Sequence, residues 1–178
     1  VYQGRGGEED GGVGRHSWGE YAMSQVTGSS ILFFVSGIPV AKGSLSGFPF
    51  TRKDGGIGVR MIDKTKGMKG WAETVAQAAR EAMWTSGRKM FPADVPVTLS
   101  TQFYVERPQS VAKDRVFPTV KPDLGKLERA IEDALTGIVY EDDKQIVTRP
   151  NSQKRYREPD REGHPRSPGV IITVTRQI

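Results

Sequence analysis

The sequence predicts an α+β fold: a small single domain in which a mixed β-sheet of about four strands packs against two helices. Three observations predict it. Short runs with strand character stand at residues 31–35, at 97–105, from 146 and at 170–175. Two segments, Lys66 to Trp84 and Leu124 to about Thr136, carry apolar residues at spacings of three and four, the helical period. The chain has 178 residues, one domain's worth, and its 36% hydrophobic content supports one core while leaving segments that do not pack.

In chain order, residues 1–30 read as a disordered tail, because glycine alternates with charge and no apolar period appears. The domain spans residues 31–178. Ile31-Leu32-Phe33-Phe34-Val35 is a continuous apolar run, as expected of a buried strand. The Gly-rich stretch that follows carries Lys42, Arg52, Lys53 and Arg60. It reads either as a flexible surface loop or as a basic loop that touches phosphates. Trp71, Val75, Ala78, Ala79, Ala82 and Met83 then give the first helix its inner face, and Gly87 fits its stop. Val97, Leu99, Thr101, Phe103 and Val105 alternate as a strand between Pro96 and Pro108. A polar loop leads to the second helix, which stops at Gly137. A strand begins at Ile146, a basic connection runs from Asn151 to Pro168, and Val170 to Thr175 forms the last strand.

Composition narrows the chemistry. Cysteine is absent, which excludes disulfides, thiolate zinc sites and cysteine nucleophiles. Two histidines, in Gly- or Pro-rich surroundings, argue against a histidine triad or a His-rich metal site. Any metal must therefore sit on carboxylates, as magnesium or manganese does. No apolar run approaches the ~20 residues of a membrane span, so no membrane partner is expected. The start of the chain is Gly-rich and acidic, unlike a secretory leader. The expected location is the cytoplasm. Lys and Arg number 26 against 21 Asp and Glu, and the net charge of +5 favours a polyanionic partner.

The informative stretch runs from Lys121 to Val147. Asp123 follows Pro122 and precedes the helical period, which suits an N-cap. Leu124, Leu127, Ile131, Ala134 and Leu135 share one face. Lys126, Arg129 and Asp133 flank it, whereas Glu128 and Glu132 fall on the other side, in solvent. Arg129 and Asp133, spaced i,i+4, suit an exposed ion pair worth about 0.3–0.5 kcal/mol. Glu141-Asp142-Asp143 then places three carboxylates in a row. On residue chemistry alone two readings stay open. The run is a solvated acidic turn, or it folds back beside Asp123 and a divalent cation neutralises the cluster.

The same stretch resembles the RusA-type Holliday junction resolvases of phages and prophages. Leu135-Thr136-Gly137 and Tyr140-Glu141-Asp142-Asp143-Lys144-Gln145-Ile146-Val147 are similar to that family's helix end and following turn and strand. Gly37-Ile38-Pro39-Val40-Ala41-Lys42-Gly43-Ser44 is more loosely similar to its opening loop. The resemblance implies a magnesium-dependent endonuclease, with manganese as a substitute, that acts as a homodimer on four-way DNA junctions in recombination and repair. It places the host compartment in a bacterial or phage-infected cell. By the same resemblance Asp123 and Asp143 are catalytic, metal-holding carboxylates, with Asp142 as an accessory ligand. Arg129 stands at the position of a functional lysine, and Lys126 where Asn or Lys is usual. The departure is Gly125, where the family has a second catalytic Asp.

Three readings of Gly125 follow: an inactivated variant, a naturally degenerate junction binder, or replacement of the missing ligand by Asp142, Glu141 or Asp133. Two symmetric cuts require two sites related by a two-fold axis, hence the homodimer. Phosphate contacts are expected from Lys42, Arg52, Lys53, Lys126, Lys144, Arg149, Lys154, Arg155 and Arg157. The alternatives to a nuclease are a branched-DNA-binding protein disabled at Gly125 and a plain interaction domain whose acidic turn is only solvated.

Overall fold

A computed structural model describes residues 29–43, 46–62, 65–158 and 164–177. The expected tail, apart from Ser29 and Ser30, lies outside these residues. The domain is α+β, as expected. The elements are β1 (Ser30–Ser36), β2 (Ser46–Thr51), β3 (Ile57–Ile62), α1 (Met68–Thr85), β4 (Val97–Val105), α2 (Leu124–Leu135), a 3-10 turn (Asp143–Gln145), β5 (Ile146–Thr148), β6 (Gln153–Tyr156) and β7 (Gly169–Arg176).

The main sheet is mixed. Its path is β1-β7-β4-β5, and β6 also pairs with β4. β7 runs antiparallel to both β1 and β4. β5 and β6 follow one another along the far edge of β4, both parallel to it. The inward residues of the sheet, among them Ile31, Phe33, Val35, Leu99, Phe103, Val170, Ile172 and Val174, meet Trp71, Val75, Ala79 and Met83 of α1 and Leu127, Ala130, Ile131 and Leu135 of α2 in one buried cluster. Burial alternates along β4 and β7, the half-buried signature of strands covered on one face.

Three strands depart from the sequence reading. The Gly-rich stretch after Lys42 is a β-hairpin, β2–β3, with a two-stranded sheet of its own. The basic connection after Asn151 contains β6, whose register on β4 runs from Gln102–Gln153 to Val105–Tyr156. The main sheet thus has five strands. Both helices lie within a residue or two of their expected bounds. α2 ends as a glycine-stopped helix does: Gly137 adopts φ 75°, and its N–H donates to Tyr140 O at 2.7 Å, which turns the chain sharply back.

Candidate active site

Asp123 is the N-cap residue of α2, with extended backbone angles. Its backbone carbonyl accepts from the N–H groups of Lys126 and Leu127, yet its carboxylate makes no capping hydrogen bond. The side chain is 60% exposed, with Lys126 Nζ 4.0 Å away. Its two oxygens thus face outward, available to a ligand. The preceding loop is fastened by Lys154, whose ammonium donates to Val120 O at 2.5 Å and Pro122 O at 2.7 Å. Lys154 therefore positions Asp123 from β6.

The acidic turn is built by different means. Asp142 caps the 3-10 turn: its Oδ1 accepts from the Lys144 N–H at 3.0 Å, and Oδ2 lies 3.5 Å from Lys144 Nζ. That backbone hydrogen bond, above all, holds the Asp142 carboxyl below its ordinary value. Asp143, the next residue, is exposed. Gln145 is buried and saturated: Oε1 accepts from the N–H groups of Glu141 and Asp142 at 2.9 and 3.0 Å, while Nε2 donates to Pro92 O and Val95 O at 2.8 and 2.9 Å. One amide thereby ties the acidic turn to the loop before β4.

The turn packs at the C-terminal end of α2. Tyr140 is fully buried, and its hydroxyl donates to Glu132 O at 3.1 Å. Burial, reinforced by the nearby Glu132, Asp143 and Asp133 carboxylates, pushes its phenol far up, so it stays neutral. Glu132 corrects the sequence reading. It is buried, not solvated, and accepts from Arg149 Nε at 2.7 Å. The expected Arg129–Asp133 pair is replaced as well: Lys42 donates to Asp133, and the Lys42 N–H donates to Lys126 O. The loop at Lys42 thus lies along the flank of α2 that carries Lys126 and Arg129.

The carboxylate stations therefore mark opposite ends of α2: Asp123 before its first residue, Asp142 and Asp143 in the turn beyond its last. A 12-residue helix is about 18 Å long. Of the two readings left open by the sequence, the fold-back of the acidic turn beside Asp123 is not what the chain does. Among the described residues no three His, Cys, Asp or Glu side chains converge as a metal-holding group. A single protomer thus does not fit a magnesium ion held by Asp123, Asp142 and Asp143 together. Gly125, one residue into α2, faces open space: a Cβ built there meets nothing within 4 Å.

Of the expected phosphate contacts, six have polar partners inside the fold, Lys126 through its 4.0 Å approach to Asp123. Lys42 holds Asp133, Arg149 holds Glu132, Lys144 lies against Asp142, Lys154 holds the carbonyls before Asp123, and Arg157 grips both Glu106 oxygens at 3.1 and 3.0 Å. Arg155 stacks its guanidinium 5.8 Å from the Phe117 ring centroid. Arg52, Lys53, Lys126 and Arg129 are exposed. Sequence reading missed Gln145, Lys154 and Glu132 as positioning residues. The one signal was the glutamine three residues after Asp142, the spacing of a capping box.

The sequence model of the family described as Endodeoxyribonuclease RusA matches residues 47–174. The chain belongs to the RusA endodeoxyribonuclease family. The family resolves Holliday junctions, so branched DNA is the substrate class at that level. The chain is also similar to YqaN, an uncharacterized protein of Bacillus subtilis strain 168. The two are 29% identical over 127 residues, which cover 66% of this chain and 82% of YqaN. No helix among the described residues is long and apolar enough to cross a membrane.

Proposed function

We propose that this RusA-family protein binds four-way DNA junctions as a homodimer and that its nicking activity is crippled at Gly125. One observation carries the second half: the space beside Asp123 where a family carboxylate belongs is empty, and among the described residues no other carboxylate fills it. Asp133 is ten residues along α2 and engaged by Lys42; Glu141 and Asp142 lie beyond the far end of the helix. Loss of a ligating carboxylate weakens cation binding and removes charge stabilisation where a phosphodiester reacts.

The homodimer is argued from symmetry, since paired cuts need two equivalent sites. It is supported by the placement of the carboxylates, because the turn of one chain and the Asp123 of the same chain lie at opposite ends of α2. Lys126 and Arg129 on the flank of α2, with Arg52 and Lys53 on the hairpin, supply the cationic track. Magnesium-dependent paired nicking is the second reading, favoured by the intact Asp123 and Asp142-Asp143 stations.

Competition binding tests the proposal. Labelled four-way junction is challenged with unlabelled junction or linear duplex, over about 50 to 200 mM salt. Junction preference with a steep salt slope is expected. Equal affinity for junction and duplex contradicts the reading.

A further inference from the structure

The β2–β3 hairpin stands as a sheet of its own and carries chemistry that the carboxylate stations do not use. Its antiparallel register pairs Phe48 with Arg60 and Phe50 with Gly58. Paired residues share a face, and so do residues two apart along a strand. Phe50, Arg52, Gly58 and Arg60 therefore occupy one face of the ribbon. There the Phe50 ring lies down on Gly58: a Cβ built on that glycine would be 2.6 Å from the ring's Cζ and 3.2 Å from Arg52 Nε. The Arg60 guanidinium carbon is 5.7 Å from the ring centroid. Phe50 is nonetheless 45% exposed.

An aromatic ring laid across a facing glycine steadies a hairpin. That explains why the ring rests on Gly58. It does not explain why two arginines flank an open ring, with Lys53 at the turn. Asp54, the acid of this turn, accepts from the Gly56 N–H at 3.0 Å. The face thus combines an exposed π-surface with concentrated positive charge, the pairing by which proteins stack bases and hold the adjoining phosphates.

We infer that this ribbon face is a stacking platform for the unstacked face of a base at the opened branch point of a DNA junction, with Phe50 under the base and Arg52 and Arg60 on the flanking phosphates. The inference rests on the junction-binding reading above. Bases inside a duplex are already stacked on both faces, whereas a branch point offers open ones. The platform therefore contributes to the preference for junctions over duplex.

The test uses the full chain on a four-way junction and on a linear duplex. Phe50→Leu keeps an apolar cover on Gly58 but removes the π-face. It lowers junction affinity by about tenfold and leaves duplex affinity unchanged, while Phe50→Tyr retains wild-type affinity for both. A second measurement needs no substitution: 2-aminopurine at the branch point changes its fluorescence when the wild-type protein binds, and 2-aminopurine inside a bound duplex does not. Wild-type junction affinity in Phe50→Leu, an equal loss on junction and duplex, or an unresponsive branch-point 2-aminopurine overturns the platform alone. Absence of any junction preference in the wild-type protein overturns the underlying reading and the platform with it.

Discussion

Three carboxylates near α2 have three environments, and their environments decide their roles. Asp123 starts the helix with its oxygens unspent on capping. Glu132 is buried against Arg149. Asp142 spends an oxygen on the Lys144 N–H. Glu132→Ala should cost about 1–2 kcal/mol of stability, since it removes a charge-assisted hydrogen bond whose arginine is half exposed. Glu128→Ala, on the same helix, should stay within about 0.5 kcal/mol; thermal melts compare the two. For Asp142 the sign follows from its lowered pKa. A carboxyl held below its ordinary 3.8 contributes stability that is present above that value and lost as pH falls through the folded one. Wild type should therefore exceed Asp142→Asn in stability above about pH 5, with the gap closing in acid. Denaturant midpoints across pH read this directly, and a gap that widens in acid contradicts it. Asp123 was legible as a helix start from Pro122 and the apolar period after it. The burial of Glu132 was not, because it depends on Arg149, seventeen residues on.

Each element that presents the site is fastened by one side chain. Gln145 fastens the acidic turn to the loop before β4, and Lys154 fastens the loop before α2 to β6. Gln145→Leu strands buried backbone groups on both sides and should cost about 2–4 kcal/mol, read by chemical denaturation. Lys154→Met keeps the aliphatic stem but frees the Val120 and Pro122 carbonyls. It should raise hydrogen exchange in residues 120–124 while leaving the exchange of α1 unchanged. The helices and β4 were legible from clean apolar periods, and β1 and β7 from short apolar runs, each with a Pro or Gly boundary. The hairpin was not, because Gly47, Pro49, Gly55, Gly56 and Gly58 break the alternation and its pairing is with itself. β6 was missed for another reason. Gln153-Lys154-Arg155-Tyr156 has one buried apolar residue and is a strand because β4 offers it an edge.

At the scale of the molecule, one sheet carries two helices, and α2 holds a carboxylate station at each end. The sequence pattern left open whether the acidic turn folds back beside Asp123, and the helix between Asp123 and Asp142-Asp143 decides against it within one chain. The proposed homodimer, argued from the symmetry of paired cuts, is checked by sedimentation equilibrium with and without junction DNA; a species that stays monomeric on DNA contradicts it. On the proposed reading Gly125 limits cleavage while leaving recognition intact, and the open space around it makes the test clean, since a side chain fits there without displacing a neighbour. The decisive measurement is cleavage of a labelled four-way junction, with magnesium and with manganese, by wild type and Gly125→Asp at matched junction occupancy. Both proteins should bind the junction alike, and Gly125→Asp should nick it faster by on the order of 10²-fold or more. Fast symmetric nicking by the wild type, not increased in Gly125→Asp, would contradict that reading.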